Sequence, residues 1–230
     1  MREVLDELIA IRRRGGMAAI ATVVGTRWST ARSVGASMLV TDSGEVVGSV
    51  GGGCVEAEIF AAGEEVLRHG VAQLETYGVS DDDMFAVGFT CGGVIDVFIE
   101  RVDSATWPEL EGIASSIAAR EPVAIATIVK GGRCVGRRLV VRPDRTEGTL
   151  GTARLDETIR EEALAMLASG ATATLHHGPD GGHPGPELEV FVTSYAPPAQ
   201  LFIFGAADFS APLVRVGKLL GFQRARVAWT

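Results

Sequence analysis

Apolar positions along the chain follow two periods. Short β-branched runs at 18–24, 37–41 and 46–50 predict strands, and similar runs return at 123–129, 138–142 and 147–150. After each third run a glycine turn leads into a stretch of helical spacing. Over 54–69 the apolar positions are Val55, Ile59, Val66 and Leu67, and the matching helix is 154–169. Two strands follow each helix, at 71–77 and 94–100, then at 171–176 and 187–193. An amphipathic helix over Met1–Arg14, with Val4, Leu5, Leu8 and Ile9 on its apolar side, precedes the first set. A helix at 109–120 links the sets.

The two sets are an internal repeat. Ala19-Ile20-Ala21-Thr22-Val23-Val24 recurs as Ala124-Ile125-Ala126-Thr127-Ile128-Val129, and Gly48-Ser49-Val50-Gly51 recurs as Gly148-Thr149-Leu150-Gly151. The helices end alike at His69-Gly70 and Ser169-Gly170. A repeat defines a structural unit. The expected fold class is therefore α/β: an α+β N-terminal domain over 1–195, built from similar halves at 15–105 and 120–195 about a pseudo-two-fold.

A different pattern begins at Ala199. Gln200 to Gly205 reads as a buried strand ending in glycine, a helix follows to Leu220, and Arg224 to Trp229 reads as a second parallel strand. This predicts the start of a Rossmann-like βαβ unit over 199–230, incomplete as a domain. Tyr195 to Pro198 supplies the linker. The phosphate fingerprint is degraded: Gly205, Ala207 and Ser210 stand where three glycines would.

The repeat also separates folding from chemistry. Where the first copy has Gly52-Gly53-Cys54, the second has Thr152-Ala153-Arg154. Where the first has Cys91-Gly92-Gly93, the second has a Gly/Pro-rich loop from Gly178 to Pro186. Residues needed only to fold the unit would recur, so Gly52, Gly53, Cys54, Cys91, Gly92 and Gly93 are the candidate ligand residues, with Gly51 added as part of the same glycine turn. Backbone N–H groups of Gly51–Gly53, beside a helix start, suit a phosphate. A thiolate suits a soft metal or sulfur transfer, and a helix N-terminus lowers a thiol's pKa. Cys54 and Cys91 are thus the candidate metal ligands, Cys54 first. Glu56 has two readings: an acid at the helix N-terminus, or a group that orients a ligand. Asp156 holds the same place in the second copy. Ser80-Asp81-Asp82-Asp83 reads as an acidic cap on a short helix. Cys134 is expected in a strand as a small buried hydrophobe, and His176, His177 and His183 are expected in solvent within a loop.

Composition narrows the function classes. Apolar residues are 47% of 230, enough for a sizeable core, and the formal charge is -8. Such an acidic chain is a poor nucleic-acid partner. Its one basic run, Arg12-Arg13-Arg14, reads as a solvated helix end. No apolar run is long enough for a membrane span, and a secretory leader is not evident, so a cytoplasmic protein is expected. Three cysteines without CxxC spacing speak against a disulfide framework or structural zinc.

Taken together, these residues resemble the XdhC/CoxI family of accessory factors for xanthine dehydrogenase and related molybdenum hydroxylases. The resemblance is carried by Gly35 to Val40, Gly48 to Glu56, Tyr77-Gly78, Thr90 to Gly93, and Leu201 to Ala206. It implies a non-catalytic maturation factor that binds molybdenum cofactor as cargo. It also implies delivery to a xanthine dehydrogenase or carbon monoxide dehydrogenase type apo-enzyme, with a cysteine desulfurase-type sulfur donor. The family usually has Gly-Ser-x-Pro in its first loop; here Trp28-Ser29-Thr30-Ala31 lacks the turn-setting proline. The chain looks C-terminally truncated against the family.

Other classes stay open at this level. One is an NAD(P)-binding oxidoreductase working through the C-terminal unit, against which the lost glycines argue. Another is a thiol enzyme, but His69 lies at the far end of the helix from Cys54, about 22 Å away by helical rise. A third is a structural role as part of an oligomer. The unfinished parallel sheet would expose strand edges, which predicts a homodimer.

Overall fold

Both halves of the repeat turn the same pattern into the same layers. In the computed structural model, which describes residues 1–78, 92–178, 181, 183, 185, 187–197, 200–205, 208–222 and the backbone of 224–228, the chain divides into two compact units, Met1–Tyr195 and Ala196–Thr230.

The first unit holds strands β1 (Ala18–Arg27), β2 (Ser37–Thr41), β3 (Val46–Gly48), β4 (Gln73–Gly78) and β5 (Val94–Val102). They form an antiparallel sheet in the order β3-β2-β1-β5-β4. Strands β6 (Val123–Lys130), β7 (Arg138–Val141), β8 (Thr146–Gly148), β9 (Ala173–His177) and β10 (Leu188–Tyr195) repeat that order as β8-β7-β6-β10-β9. The helices are α1 (Leu5–Arg13), α2 (Glu56–His69), α3 (Leu110–Ala119) and α4 (Ala153–Ser169).

Strand alternation explains why β1 is apolar on both faces. Successive side chains point to opposite sides. Ala19, Ala21 and Val23 join Val40, Ile95, Val97 and Ile99 against Ile59 and Val66 of α2. The opposite face meets the second sheet, where Val24 and Phe98 pack with Val129 and Phe191. On its other side the second sheet carries α4, whose Leu155, Ile159, Ala163 and Leu167 are buried. The result is a pair of facing sheets with one helix outside each. Helices α1 and α3 close one end through Leu8, Trp107, Leu110 and Ile113, which cluster with Ile20 and Ile125 of the two central strands. Each such side chain buried stabilises the fold by about 1.5–3 kcal/mol before entropy is counted.

Glycine marks the same corners in both copies. Gly70 and Gly170 end α2 and α4 in the left-handed conformation, with φ of 70° and 69°. Gly48 and Gly148 end β3 and β8 at φ of 86° and 83°, and a Cβ there would lie 2.4 Å from Ser37 O and 2.5 Å from Arg138 O. These shared glycines serve the fold.

The second unit contains β11 (Gln200–Phe204), α5 (Ser210–Leu219) and β12 (Arg224–Ala228). The two strands pair in parallel, with Gln200 opposite Arg224 and Phe204 opposite Ala228. Ser210 Oγ donates to Gly205 O at 3.0 Å, tying the first turn of α5 to the strand end. Among the described residues no helix is long and apolar enough to cross a membrane.

Two expectations need correction. Cys134 lies in a 3-10 turn, Gly132–Cys134, and is half-buried, because the second copy's β6–β7 connection curls into that turn before β7 begins. His177 is buried at the end of β9, where Nε2 lies 3.0 Å from Glu162 Oε2. Strand β9 continues through it, and a buried imidazole needs a polar partner. His176 and His183 are exposed, as expected.

Candidate functional site

One end of the first sheet gathers the residues that the second copy lacks. Antiparallel pairing brings the end of β1, the start of β5, the end of β4 and the β3–α2 loop to the same edge. Gly93 is buried against the loop after β1: a Cβ there would sit 2.1 Å from Ser29 O and 2.8 Å from Thr30 Cγ2. A Cβ on Gly52 would lie 3.4 Å from Ala31 Cβ. The 28–31 loop is therefore clasped between the β3–α2 loop and Gly93. Gly78 approaches from the far side, with Gly93 O 2.4 Å from where its Cβ would be.

Polar contacts fix this edge. Asp96 accepts from Arg27 at 2.9 and 3.2 Å and from Thr76 Oγ1 at 2.6 Å, joining three strands. The other end of the 28–32 loop is held by an Arg32–Glu3 ion pair. Trp28, at the loop's start, has φ of 60° and is 70% exposed.

The β3–α2 loop is organised by Glu56. Its Oε1 accepts from Ser49 Oγ at 2.7 Å and from the amides of Val50 and Gly51 at 3.2 and 2.9 Å. Its Oε2 accepts from the amides of Gly53 and Val55 at 2.7 and 3.3 Å. Gly52 N donates to Ser49 Oγ at 3.1 Å. Burial pushes the Glu56 carboxyl up, but the Ser49 hydroxyl and the amides of Gly51, Gly53 and Val50 outweigh it and hold it at about 2. The amides that suit a phosphate cradle in the sequence thus already have an acceptor within the loop. A phosphate at this spot would have to displace the Glu56 carboxylate.

The second copy repeats the brace in shorter form. Asp156 accepts from Thr149 Oγ1 and Leu150 N, both at 2.7 Å. It has one methylene fewer and a shorter reach, and Thr152 Oγ1 caps the helix instead by accepting from Leu155 N at 3.2 Å. The geometry gives Glu56 a role that neither sequence reading named, a brace for its own loop.

What distinguishes the first copy is open space. Gly52 and Gly53 have φ of 70° and 106°, and a Cβ on Gly53 would meet nothing within 4 Å. Cys54 follows directly, half-buried, and packs against the cluster under α2, as Tyr77 does. Helix α2 begins at Glu56, so Cys54 lies just before the helix rather than in it. Cys91 and the acidic run Ser80–Asp83 lie outside the described residues; Gly92 is exposed. Two further side chains near this edge are given no role by the sequence alone. Glu58 Oε2 is buried with no hydrogen-bond partner among the described residues. Tyr77 donates to Glu75, and burial, that bond and the nearby Glu75 and Glu58 carboxylates all raise its pKa. Tyr77 enters the sequence reading only through the Tyr77-Gly78 pair, and Glu58 carries no motif. Among the described residues, no three His, Cys, Asp or Glu side chains converge to hold a metal ion.

Comparison with known proteins follows the same outline. The model of the XdhC and CoxI family matches residues 11–78 and 116–178, reaching both halves of the repeat. The chain is 25% identical over 92% of its length to a probable xanthine dehydrogenase subunit of Bacillus subtilis (strain 168). It is 30% identical over 54% of its length to a molybdenum cofactor insertion chaperone of Escherichia coli (strain K12). It spans 59% and 38% of the lengths of these two relatives. A crystal structure of a xanthine dehydrogenase from Bacillus halodurans superimposes with a TM-score of 0.62 at 23% identity, over 97% of this chain and 61% of that one. At that identity the likeness speaks for the fold alone.

Proposed function

Because the chain belongs to the XdhC and CoxI family, we propose that it binds molybdenum cofactor as cargo and serves in maturing a molybdenum hydroxylase. The observation that carries this reading is the first copy's loop edge. There open space lies at Gly53, next in the chain to Cys54, and the second copy fills the positions matching Gly52 and Gly53 with Thr152 and Ala153. A thiolate is a soft ligand that suits molybdenum or a sulfur about to be transferred. Delivery goes to a xanthine dehydrogenase or carbon monoxide dehydrogenase type apo-enzyme in the cytoplasm, with a cysteine desulfurase-type sulfur donor. In this reading Cys54 holds the metal end of the cargo, Cys91 supplies a second soft ligand, and Glu56 keeps the loop in shape.

The test is cofactor retention. The protein purified from cells that make the cofactor is assayed for bound pterin and molybdenum beside Cys54→Ala. The expected result is retention lowered about tenfold with an unchanged circular dichroism spectrum, the loss of one strong charge-assisted contact. Equal retention in the variant would overturn the assignment.

The proposal includes a homodimer. The second unit exposes Phe202, Phe204, Phe209 and Leu219, and apolar surface beside an open sheet edge favours association. Light scattering at micromolar concentration is expected to give the mass of a dimer; a monomer would contradict this part.

A further inference from the structure

Away from the Cys54 loop, a cleft of about 550 Å³ opens on the first unit and draws on both halves of the repeat. Its walls come from the turn after α2, from β5, and from the β6–β7 connection. Four arginines line it, Arg101, Arg133, Arg137 and Arg138, against the carboxylates of Glu100 and Glu109. This is an unusual place for positive charge in a chain whose formal charge is -8. With four guanidinium groups against two carboxylates the lining is positive on balance, and such a cleft concentrates anions.

The four arginines differ in how they are held. The Arg138 side chain is 6% exposed, pairs with Glu100 of the other sheet, and stacks 4.2 Å from the centre of the Trp107 ring. It also donates to Thr106 O and Gly136 O at 3.3 and 3.1 Å. Arg101 Nε lies 3.1 Å from Asp103 Oδ2. Arg138 Nε is buried with no hydrogen-bond acceptor among the described residues. Arg133 and Arg137 are exposed and make no ion pair among the described residues. Two guanidinium groups are thus available at the mouth, above two fixed ones.

We propose that this cleft is a binding site for a phosphate-bearing anion, a phosphate ester or a polyphosphate, held by Arg133 and Arg137 at the mouth and by the fixed guanidinium groups of Arg101 and Arg138 on the wall. Planar guanidinium forks match the paired oxygens of phosphate and bind them bidentately. The site is separate from the glycine loop, where Glu56 already occupies the amides, and it does not depend on the identity of any cargo.

The test is calorimetric titration of the purified full chain with inorganic pyrophosphate. The expected result is saturable binding that weakens about tenfold or more in the double variant Arg133→Ala/Arg137→Ala, the loss of two charge-assisted contacts. Arg160→Ala, on α4 and paired with Glu157, is expected to bind as the parent does. Competition by glycerol phosphate would assign the site to phosphate esters, and pyrophosphate binding without such competition would assign it to free polyphosphate. Absence of binding by the parent chain would overturn the proposal. So would equal affinity in the double variant, or equal weakening in Arg160→Ala. The readout uses no cofactor, so its failure leaves the retention assay standing, and the reverse holds too.

Discussion

Glu56 shows how a single carboxylate can hold a glycine loop in shape. Four amides and one hydroxyl converge on it, and its folded pKa is about 2 against an ordinary 4.5. A carboxyl with a depressed folded pKa stabilises the fold above its unfolded pKa. That stabilisation is lost as pH falls through the window from 4.5 to about 2. Glu56→Gln is therefore expected to cost about 1–3 kcal/mol near neutral pH. Urea unfolding of parent and variant should show the gap narrowing as pH drops through that window. A gap independent of pH would show that the charge does not brace the loop. The sequence places Glu56 at the right turn and leaves its role open, because spacing cannot say whether an acid at a helix start turns back toward its own loop. It does separate two kinds of glycine. Gly48 and Gly148 recur because a Cβ would strike the backbone of the neighbouring strand; Gly52 and Gly53 do not recur, and open space lies beside Gly53.

At the scale of elements, strands and helices are legible in the sequence because burial follows their periods closely. The apolar runs at 18–24 and 123–129 fall within β1 and β6, and the helix ends at Gly70 and Gly170 match the observed caps. Helix starts are less legible. Helix α4 has a side-chain cap in Thr152, whereas α2 starts after Val55 with no side-chain cap and with Glu56 bonding the preceding amides. The loop bearing Cys134 reads as strand because the apolar run of β6 continues close to it. A single sequence does not show that Gly131 takes φ of 138° and turns the chain into a 3-10 segment. His177 reads as solvated from the glycines that follow it, while its partner, Glu162, is supplied by a helix 15 residues earlier.

Across the first unit, the repeat does what neither half can do alone. Each sheet buries one face on its own helix and the other against its counterpart, so the apolar alternation of β1 and β6 is satisfied only when both copies are present. The Arg138–Glu100 pair, buried between the sheets, is a contact that no local pattern announces. The same is true of the arginine cleft, whose members come from β5, the β6–β7 connection and the start of β7. Duplication also lets one copy keep the fold while the other carries chemistry, and that division is the central claim. It is tested by giving the first copy the second copy's residues, Gly52→Thr with Gly53→Ala, and measuring pterin and molybdenum bound per chain in protein from cofactor-producing cells. Both positions have positive φ, so the account predicts a lowered melting temperature in a variant that still folds, and loss of most of the bound cofactor. Full cofactor content in a folded variant would contradict it, and would place the cargo away from the Cys54 loop.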